Sequence, residues 1–237
     1  MSETIFQAAA LILPLIFAIV FHEVAHGWVA RALGDPTAHE MNRLSLNPLR
    51  HVDPMGTIVV PGFLALVKGP VIGWAKPVPV DKYRLRNPRF GMMAVAAAGP
   101  ATNLILAAIG AVLLGLLIRP DGEAQDAFSL TGFAAANLVN FLQVNIFLAL
   151  FNLLPIPPFD GSHIVEGLLP RSAARSYARL RPFGLGLMIL LLIVLPWLVP
   201  GLSIVQRFVL PPVEAIYGQY VALAYAVAAM MHNFYPG

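Results

Sequence analysis

The chain has 237 residues, of which 58% are hydrophobic and 11% charged, and its mean hydropathy is +0.75. Soluble globular domains carry about 25% charged residues, so this composition excludes that class and indicates a polytopic membrane protein. The chain has no cysteine, which excludes disulfides and thiolate ligands and leaves histidine and carboxylates to hold any metal. The net charge of +3 is small and gives no reason to expect a nucleic-acid partner.

The first apolar segment, residues 5–33, is long enough to cross a bilayer as one helix. Pro14 lies inside this segment and is expected to kink the helix. No basic residues precede the segment, and a polar motif described below continues it, so we interpret it as a retained helix rather than a cleaved signal peptide.

Three further apolar stretches, residues 90–118, 130–154 and 183–198, predict membrane helices. A last stretch, residues 204–231, contains charged residues and two prolines, and it could either span the bilayer or lie at its interface. The predicted fold class is therefore an all-α polytopic membrane protein with four to five membrane-associated helices, organised as a single membrane-embedded domain over residues 1–237.

The long loop at residues 34–89 has a pattern of its own. Thr57–Leu66 and Val71–Val80 are apolar, rich in β-branched residues and interrupted by glycine and proline. This pattern favours short strands or a re-entrant hairpin over a helix, so the fold prediction includes a small strand-containing re-entrant loop. Such backbone is tolerated at membrane depth only where protein or a watery cavity surrounds it.

The basic residues predict the orientation. They are concentrated in residues 34–89 and 155–182, whereas residues 119–129 contain one arginine and three acidic residues. Because lysine and arginine are retained on the cytoplasmic side, both long loops are predicted to be cytoplasmic and the N-terminus to lie outside.

His22, Glu23 and His26 form an H-E-x-x-H motif within the first apolar segment. Ionisable side chains inside a membrane helix cost roughly 2.5–3.5 kcal/mol each on insertion scales, and a bound metal would give that cost a function. A helix places residues i and i+4 on one face, so both imidazoles can reach one metal ion with Glu23 beside them. The alternatives are a structural polar cluster or the interior of a transporter.

A hydrolytic zinc site usually has three protein ligands, so a third residue is needed. Asp160 follows the third helix in the proline-rich stretch Asn152–Gly161, and the predicted topology brings it to the same membrane face as His22 and His26. Taken alone, Asp160 could equally be a helix N-cap.

These residues resemble the site-2 protease family of intramembrane zinc metalloproteases. The matching features are H-E-x-x-H at His22–His26, N-x-x-P-x-P-x-x-D-G at Asn152–Gly161, and G-x-x-x-N at Gly99–Asn103. They span a catalytic core at about residues 5–165, with additional helices at about 183–232. The chain lacks an insert large enough for a PDZ domain and so resembles the short forms of the family.

The resemblance implies one zinc ion per chain, bound by His22, His26 and Asp160, with Glu23 as the catalytic base. It implies that Asn103 and Asn152 assist substrate or transition-state binding, although Asn103 could simply hydrogen-bond between helices.

The implied activity is regulated intramembrane proteolysis, the hydrolysis of peptide bonds in or near transmembrane segments of membrane-protein substrates. The implied surroundings are the lipid bilayer of a prokaryotic inner membrane, with the active site towards the cytoplasm. The edge of the loop at residues 56–80 could accept an extended substrate segment, or the loop could be a plug that shields the site.

Other residues leave alternatives open. Polar residues in the third helix could line a metal-transport path or a water path to the metal: Asn137, Asn140, Gln143 and Asn145. A metal transporter or metal-binding sensor is therefore the alternative function. His163 could contact substrate or support a ligand, and His51 and Asp53 could supply a competing ligand, although a turn or capping role is expected for them.

Overall fold

The computed structural model describes residues 3–59, 75–118, 129–199 and 201–234. Within these ranges the backbone forms helices and irregular segments and no strand. The α-helices are α1 (Glu3–Ala32), α2 (Thr37–Glu40), α3 (Pro88–Leu117), α4 (Leu130–Asn152), α5 (Asp160–Leu168), α6 (Arg171–Ala178), α7 (Gly184–Ile189), α8 (Leu195–Leu198) and α9 (Leu210–Phe234). Shorter turns of 3₁₀-helix occupy Pro48–His51 and Arg181–Phe183, and π-helical turns occupy Pro54–Val59, Leu190–Val194 and Val205–Val209.

Within the described ranges, five helical stretches are long and apolar enough to cross a membrane. They are Ile5–Ala32, Pro88–Leu117, Leu130–Asn152, Arg171–Leu198 and Val205–Asn233. The all-helical, polytopic prediction is confirmed, and the chain is an integral membrane protein. The last stretch, which the sequence left undecided, has the length and composition of a spanning helix.

The strand prediction for the long loop is wrong where the structure describes it. Thr57–Val59 belong to the π-helical turn Pro54–Val59, and residues 75–80 form an irregular segment. Asp53 starts the helical turn, because its Oδ1 accepts hydrogen bonds from the backbone N–H groups of Met55 and Gly56. The remainder of the predicted strands, residues 60–74, lies outside the described residues.

The chain divides into two compact units, and the single-domain organisation stays a prediction. The first unit comprises residues 1–18, 101–151 and 206–237. Its core contains Ala111, Leu114, Leu142 and Ala224. A Cβ at Gly115 would lie 2.3 Å from the carbonyl oxygen of Ala224, so the glycine allows α3 and α9 to pack closely.

Hydrogen bonds from asparagine side chains connect the helices of the first unit. Asn140 donates to the carbonyl oxygen of Ala10 at 3.0 Å, and Asn103 donates to Ala18 O at 3.2 Å and to Asn145 Oδ1 at 2.7 Å. Such bonds between α1, α3 and α4 satisfy polar groups that lipid could not hydrate.

The second unit comprises residues 19–100 and 152–205. Its core cluster of Ala30, Leu85 and Val95 packs the end of α1 against the start of α3 and the segment before it. The fully buried Asp35 accepts hydrogen bonds from the backbone N–H groups of Thr37 and Asp81. This carboxylate therefore joins the turn after α1 to the segment that leads into α3.

Candidate metal centre

The second half of α1 presents two histidines on one helical face. His22 and His26 are only 6% and 9% exposed, and their rings meet edge to face with centroids 4.7 Å apart. His26 Nδ1 lies 2.7 Å from the carbonyl oxygen of Val95 in α3. Because a carbonyl only accepts, Nδ1 donates a proton to it, and Nε2 is the ring nitrogen available to a metal.

Asp160 brings its carboxylate to both imidazoles. Its Oδ2 lies 3.0 Å from His22 Nε2 and 3.4 Å from His26 Nε2, although Asp160 and His22 are 138 residues apart in sequence. One ligand atom from each of the three residues lies within 4.8 Å of the others. The structure therefore brings together the three residues that the sequence predicted as metal ligands.

The chain before α5 determines where Asp160 lies. Helix α4 ends at Asn152, and α5 begins at Asp160 itself, after a stretch with three prolines. The helix makes no side-chain cap, so the N-cap alternative for Asp160 is not observed. A Cβ at Gly161 would lie 2.2 Å from the carbonyl oxygen of Leu153, so glycine is required for this tight return of the chain.

Gly99 in α3 packs directly on the imidazoles. A Cβ at this position would lie 2.5 Å from Cε1 of His22 and 2.6 Å from Cε1 of His26. The sequence identified Gly99 only as part of a motif with Asn103 and did not predict this contact. Glycine is required here because the α3 backbone lies directly against the two imidazole rings of α1 and leaves no room for a side chain.

Glu23 is held by the irregular segment at residues 75–80. The backbone N–H of Val78 donates to Glu23 Oε2 at 2.9 Å, which fixes one carboxylate oxygen and orients the other. The buried guanidinium of Arg43 donates to the carbonyl oxygens of Lys76 at 2.9 Å and Pro77 at 3.4 Å. Arg43 thus anchors the segment that positions Glu23, a role that sequence reasoning missed.

The Asp160 carboxyl is ionised at neutral pH. Burial raises the pKa of this carboxyl. The hydrogen bonds of His22 and His26, and then their charges, outweigh burial and lower the pKa to about 2. An ionised carboxylate is the form that binds a metal.

The geometry fits a zinc ion. Zinc–nitrogen bonds of about 2.0–2.1 Å in a tetrahedral site place neighbouring ligand atoms roughly 3.3–3.4 Å apart. The observed separations of 3.0 and 3.4 Å between Asp160 Oδ2 and the two Nε2 atoms are close to that value. Two imidazole nitrogens and one carboxylate oxygen are also a donor set that hydrolytic zinc sites use, with a fourth position left for water.

Asn103 and Asn152 are the two asparagines that the sequence predicted to assist substrate binding. Asn103 is fully buried in the first unit, where it bonds to Ala18 and Asn145, as its helix-packing alternative requires. Asn152 is the last residue of α4 and is partly buried. Their roles towards substrate stay predictions.

His51 and His163 have local partners. His51 is buried and donates from Nε2 to the carbonyl oxygen of Ser45 at 2.7 Å, and Asp53 starts the turn described above. Both therefore have the turn-forming role expected from the sequence. His163 Nδ1 lies 3.2 Å from Arg181 Nη2 and accepts its hydrogen bond, since a guanidinium only donates.

Comparison with known proteins agrees with this geometry. The family model described as "Peptidase family M50" matches residues 124–195, which include Asp160. A Bacillus subtilis protein named "Putative zinc metalloprotease YwhC" is 42% identical over 73% of this chain and 75% of its own length. The chain belongs to peptidase family M50. This is the site-2 protease family that the sequence predicted, so that prediction is confirmed.

Two more distant relatives carry the same description. The Rip2 protein of Mycolicibacterium smegmatis is 31% identical over 75% of this chain and 64% of its own length. A Methanocaldococcus jannaschii protein is 30% identical over 62% of this chain and 64% of its own length. No solved structure matches the chain. As a site-2 protease family member, the chain is an intramembrane zinc metalloprotease.

Proposed function

We propose that this site-2 protease hydrolyses peptide bonds in or near transmembrane segments of other membrane proteins, with His22, His26 and Asp160 as metal ligands and Glu23 as general base. The observation that carries the proposal is the convergence of both Nε2 atoms on Asp160 Oδ2. Three ionisable groups from two distant parts of the chain meet in a largely apolar membrane protein, and a metal gives this arrangement a purpose.

The bound zinc ion would supply Lewis-acid activation of water and of the scissile carbonyl. The protein supplies the proton transfers. Glu23 accepts a proton from the attacking water and returns it to the leaving amine, while the Val78 N–H holds its Oε2 in place. His26 donates a hydrogen bond from Nδ1 to the carbonyl oxygen of Val95, and this bond fixes the orientation of its ring in the site.

The substrate must unwind before cleavage, because the amides of a transmembrane helix are already hydrogen-bonded. Pairing with an extended edge of the long loop remains the proposed route. In the described part of that loop, backbone groups of Lys76–Val78 already bond to His51, Arg43 and Glu23. The backbone groups that form these bonds are not free to pair with substrate.

The proposed location is a prokaryotic cell membrane, with the N-terminus outside and the active site towards the cytoplasm. The distribution of basic residues supports this orientation. The bacterial and archaeal origins of the similar proteins support the prokaryotic membrane.

The metal-transporter alternative is not favoured. It requires a file of polar groups able to pass a cation from one side to the other. Three of the asparagines in α4 instead donate to backbone carbonyls: Asn137 to Phe133, Asn140 to Ala10 and Asn145 to Phe141. The Asn140 bond joins α4 to α1 and the other two lie within α4, so these donors are occupied within the protein.

The test compares Glu23→Gln with His22→Ala in purified full-length protein. Glu23→Gln should keep zinc and lose cleavage of a single-span reporter tagged on both sides of its transmembrane helix, because only the proton acceptor is removed. His22→Ala should lose both zinc and cleavage. Cleavage by Glu23→Gln at the wild-type rate would show that Glu23 is not the base.

A further inference from the structure

The second unit contains a basic cavity that the protease chemistry does not use. Its volume is about 520 Å³, and none of the proposed metal ligands nor Glu23 lines it. Five basic side chains and one acidic side chain line it: Lys82, Arg89, Arg171, Arg175, Arg181 and Glu166.

Some of this positive charge is already compensated. Arg181 pairs with Glu166 and also donates to His163, and the Arg89 guanidinium donates to the backbone carbonyls of Gly167 and Leu169. Burial and then the charge of Arg181 lower the pKa of His163, so this imidazole adds no positive charge at neutral pH. Among the described residues that line the cavity, Glu166 is the only carboxylate, and its Oε2 pairs with Arg181.

Arg171 and Arg175 differ from these two arginines. Both are exposed, and their guanidinium groups form no ion pair or hydrogen bond with any residue that the structure describes. They lie four residues apart in α6, so both side chains are on one helical face. The cavity thus presents two unpaired guanidinium groups next to a net positive wall, which is the arrangement that binds a phosphate group.

The cavity lies where two membrane helices begin. Pro88 and Arg89 start α3, and Arg171 starts the stretch Arg171–Leu198, both of which have the length and composition of membrane spans. The start of a membrane-spanning helix is expected at the depth of the lipid headgroups. Large apolar side chains that neighbour the lining residues in sequence are exposed, with Phe90 at 51% and Leu168 at 69%, as expected of a surface that contacts acyl chains.

We propose that this cavity binds the phosphate headgroup of an anionic membrane lipid, with Arg171 and Arg175 as the principal contacts. A soluble phosphate compound would offer the same charge, but it would leave the exposed apolar neighbours without a partner. The cavity and the metal centre share no residue, so failure of this proposal would leave the proposed protease function unaffected, and the reverse also holds.

The experiment measures lipid binding to the full-length protein in a neutral detergent by native mass spectrometry. The probes are phosphatidylglycerol, phosphatidylcholine and soluble glycerol 3-phosphate. Wild-type protein is compared with Arg171→Gln/Arg175→Gln. The charge-matched control is Arg86→Gln/Arg179→Gln, which removes two exposed arginines that do not line the cavity.

Wild-type protein should bind phosphatidylglycerol in preference to phosphatidylcholine and should bind glycerol 3-phosphate much more weakly. The cavity variant should weaken phosphatidylglycerol binding by about 30-fold, since each basic side chain near an anionic headgroup contributes roughly fivefold. The control variant should keep wild-type affinity. Arg175→Gln alone should give an intermediate loss, which serves as a second variant if the double substitution folds poorly.

Three results would overturn the proposal. Equal losses in the cavity and control variants would show only a general attraction to surface charge. Equal binding of phosphatidylcholine and phosphatidylglycerol would show that the headgroup charge is not recognised. Binding of glycerol 3-phosphate as tight as that of the lipid would assign the cavity to a soluble phosphate compound instead.

Discussion

Two polar clusters, one in each compact unit, differ in how their hydrogen-bonding groups are used. In the first unit, the amides of Asn103, Asn140 and Asn145 donate to backbone carbonyls or to each other. In the second unit, His22, His26 and Asp160 direct ring nitrogens and a carboxylate oxygen towards one another. The first arrangement satisfies the donors within the protein, whereas the second brings together three possible metal ligands that a cation can share. Polar residues in a membrane protein therefore indicate chemistry only when their acceptor atoms converge.

The largest expected effect separates these two clusters. Asp160→Asn should reduce reporter cleavage to background, because it replaces the ionised carboxylate oxygen between the two imidazoles with an uncharged amide. Asn145→Ala should keep measurable cleavage, since it removes a bond that joins helices. Both rates are measured on the single-span reporter. Equal rates for the two variants would mean that the two clusters do not differ in function.

Gly99 tests whether the metal centre depends on close helix packing. Gly99→Ala should weaken zinc binding about 10- to 100-fold, a loss typical of disturbed support around metal ligands, because the new Cβ would lie 2.5 Å from the His22 ring. Gly218→Ala is the matched control, since a Cβ there meets nothing within 4 Å. Zinc affinity is measured by competition with a chelator. Wild-type affinity in Gly99→Ala would contradict the packing described here.

Arg43 tests how the Glu23 carboxylate is positioned. Arg43→Ala should lower kcat by roughly tenfold to a hundredfold, as small misplacements of catalytic groups do, because the Lys76–Val78 backbone that holds Glu23 loses its anchor. Bound zinc should be unchanged, and Arg43→Lys should restore part of kcat. Steady-state kinetics and metal analysis measure both quantities. A change in KM with kcat unaltered would contradict a positioning role.

The smallest expected effect concerns the first unit. Asn140→Ala removes the bond to the carbonyl of Ala10 and should destabilise the fold by about 0.6 kcal/mol, the average for interhelical hydrogen bonds in a membrane protein. Zinc content should stay at the wild-type level. Unfolding in a mixed-detergent series measures the stability. A loss of zinc without a loss of stability would place Asn140 in the metal chemistry.

The sequence predicted those parts of the site that depend on local periodicity or on topology. His22 and His26 follow from the i, i+4 spacing of a helix, and Asp160 follows from the order of the membrane segments together with the family resemblance. The contacts of Gly99 and Arg43 depend on how distant segments pack, and no local pattern reports them. The strand prediction failed at Thr57–Val59 because apolar, β-branched composition does not show that Asp53 starts a helical turn.

The central claim is that one zinc ion is held by His22, His26 and Asp160. Elemental analysis of purified wild-type protein and of Asp160→Ala and Asn145→Ala tests it most directly. The account predicts about one zinc per chain in wild-type protein and in Asn145→Ala, and strongly reduced zinc in Asp160→Ala, since a zinc site needs its third ligand. Wild-type protein that contains no zinc, or Asp160→Ala that retains a full equivalent, would contradict it.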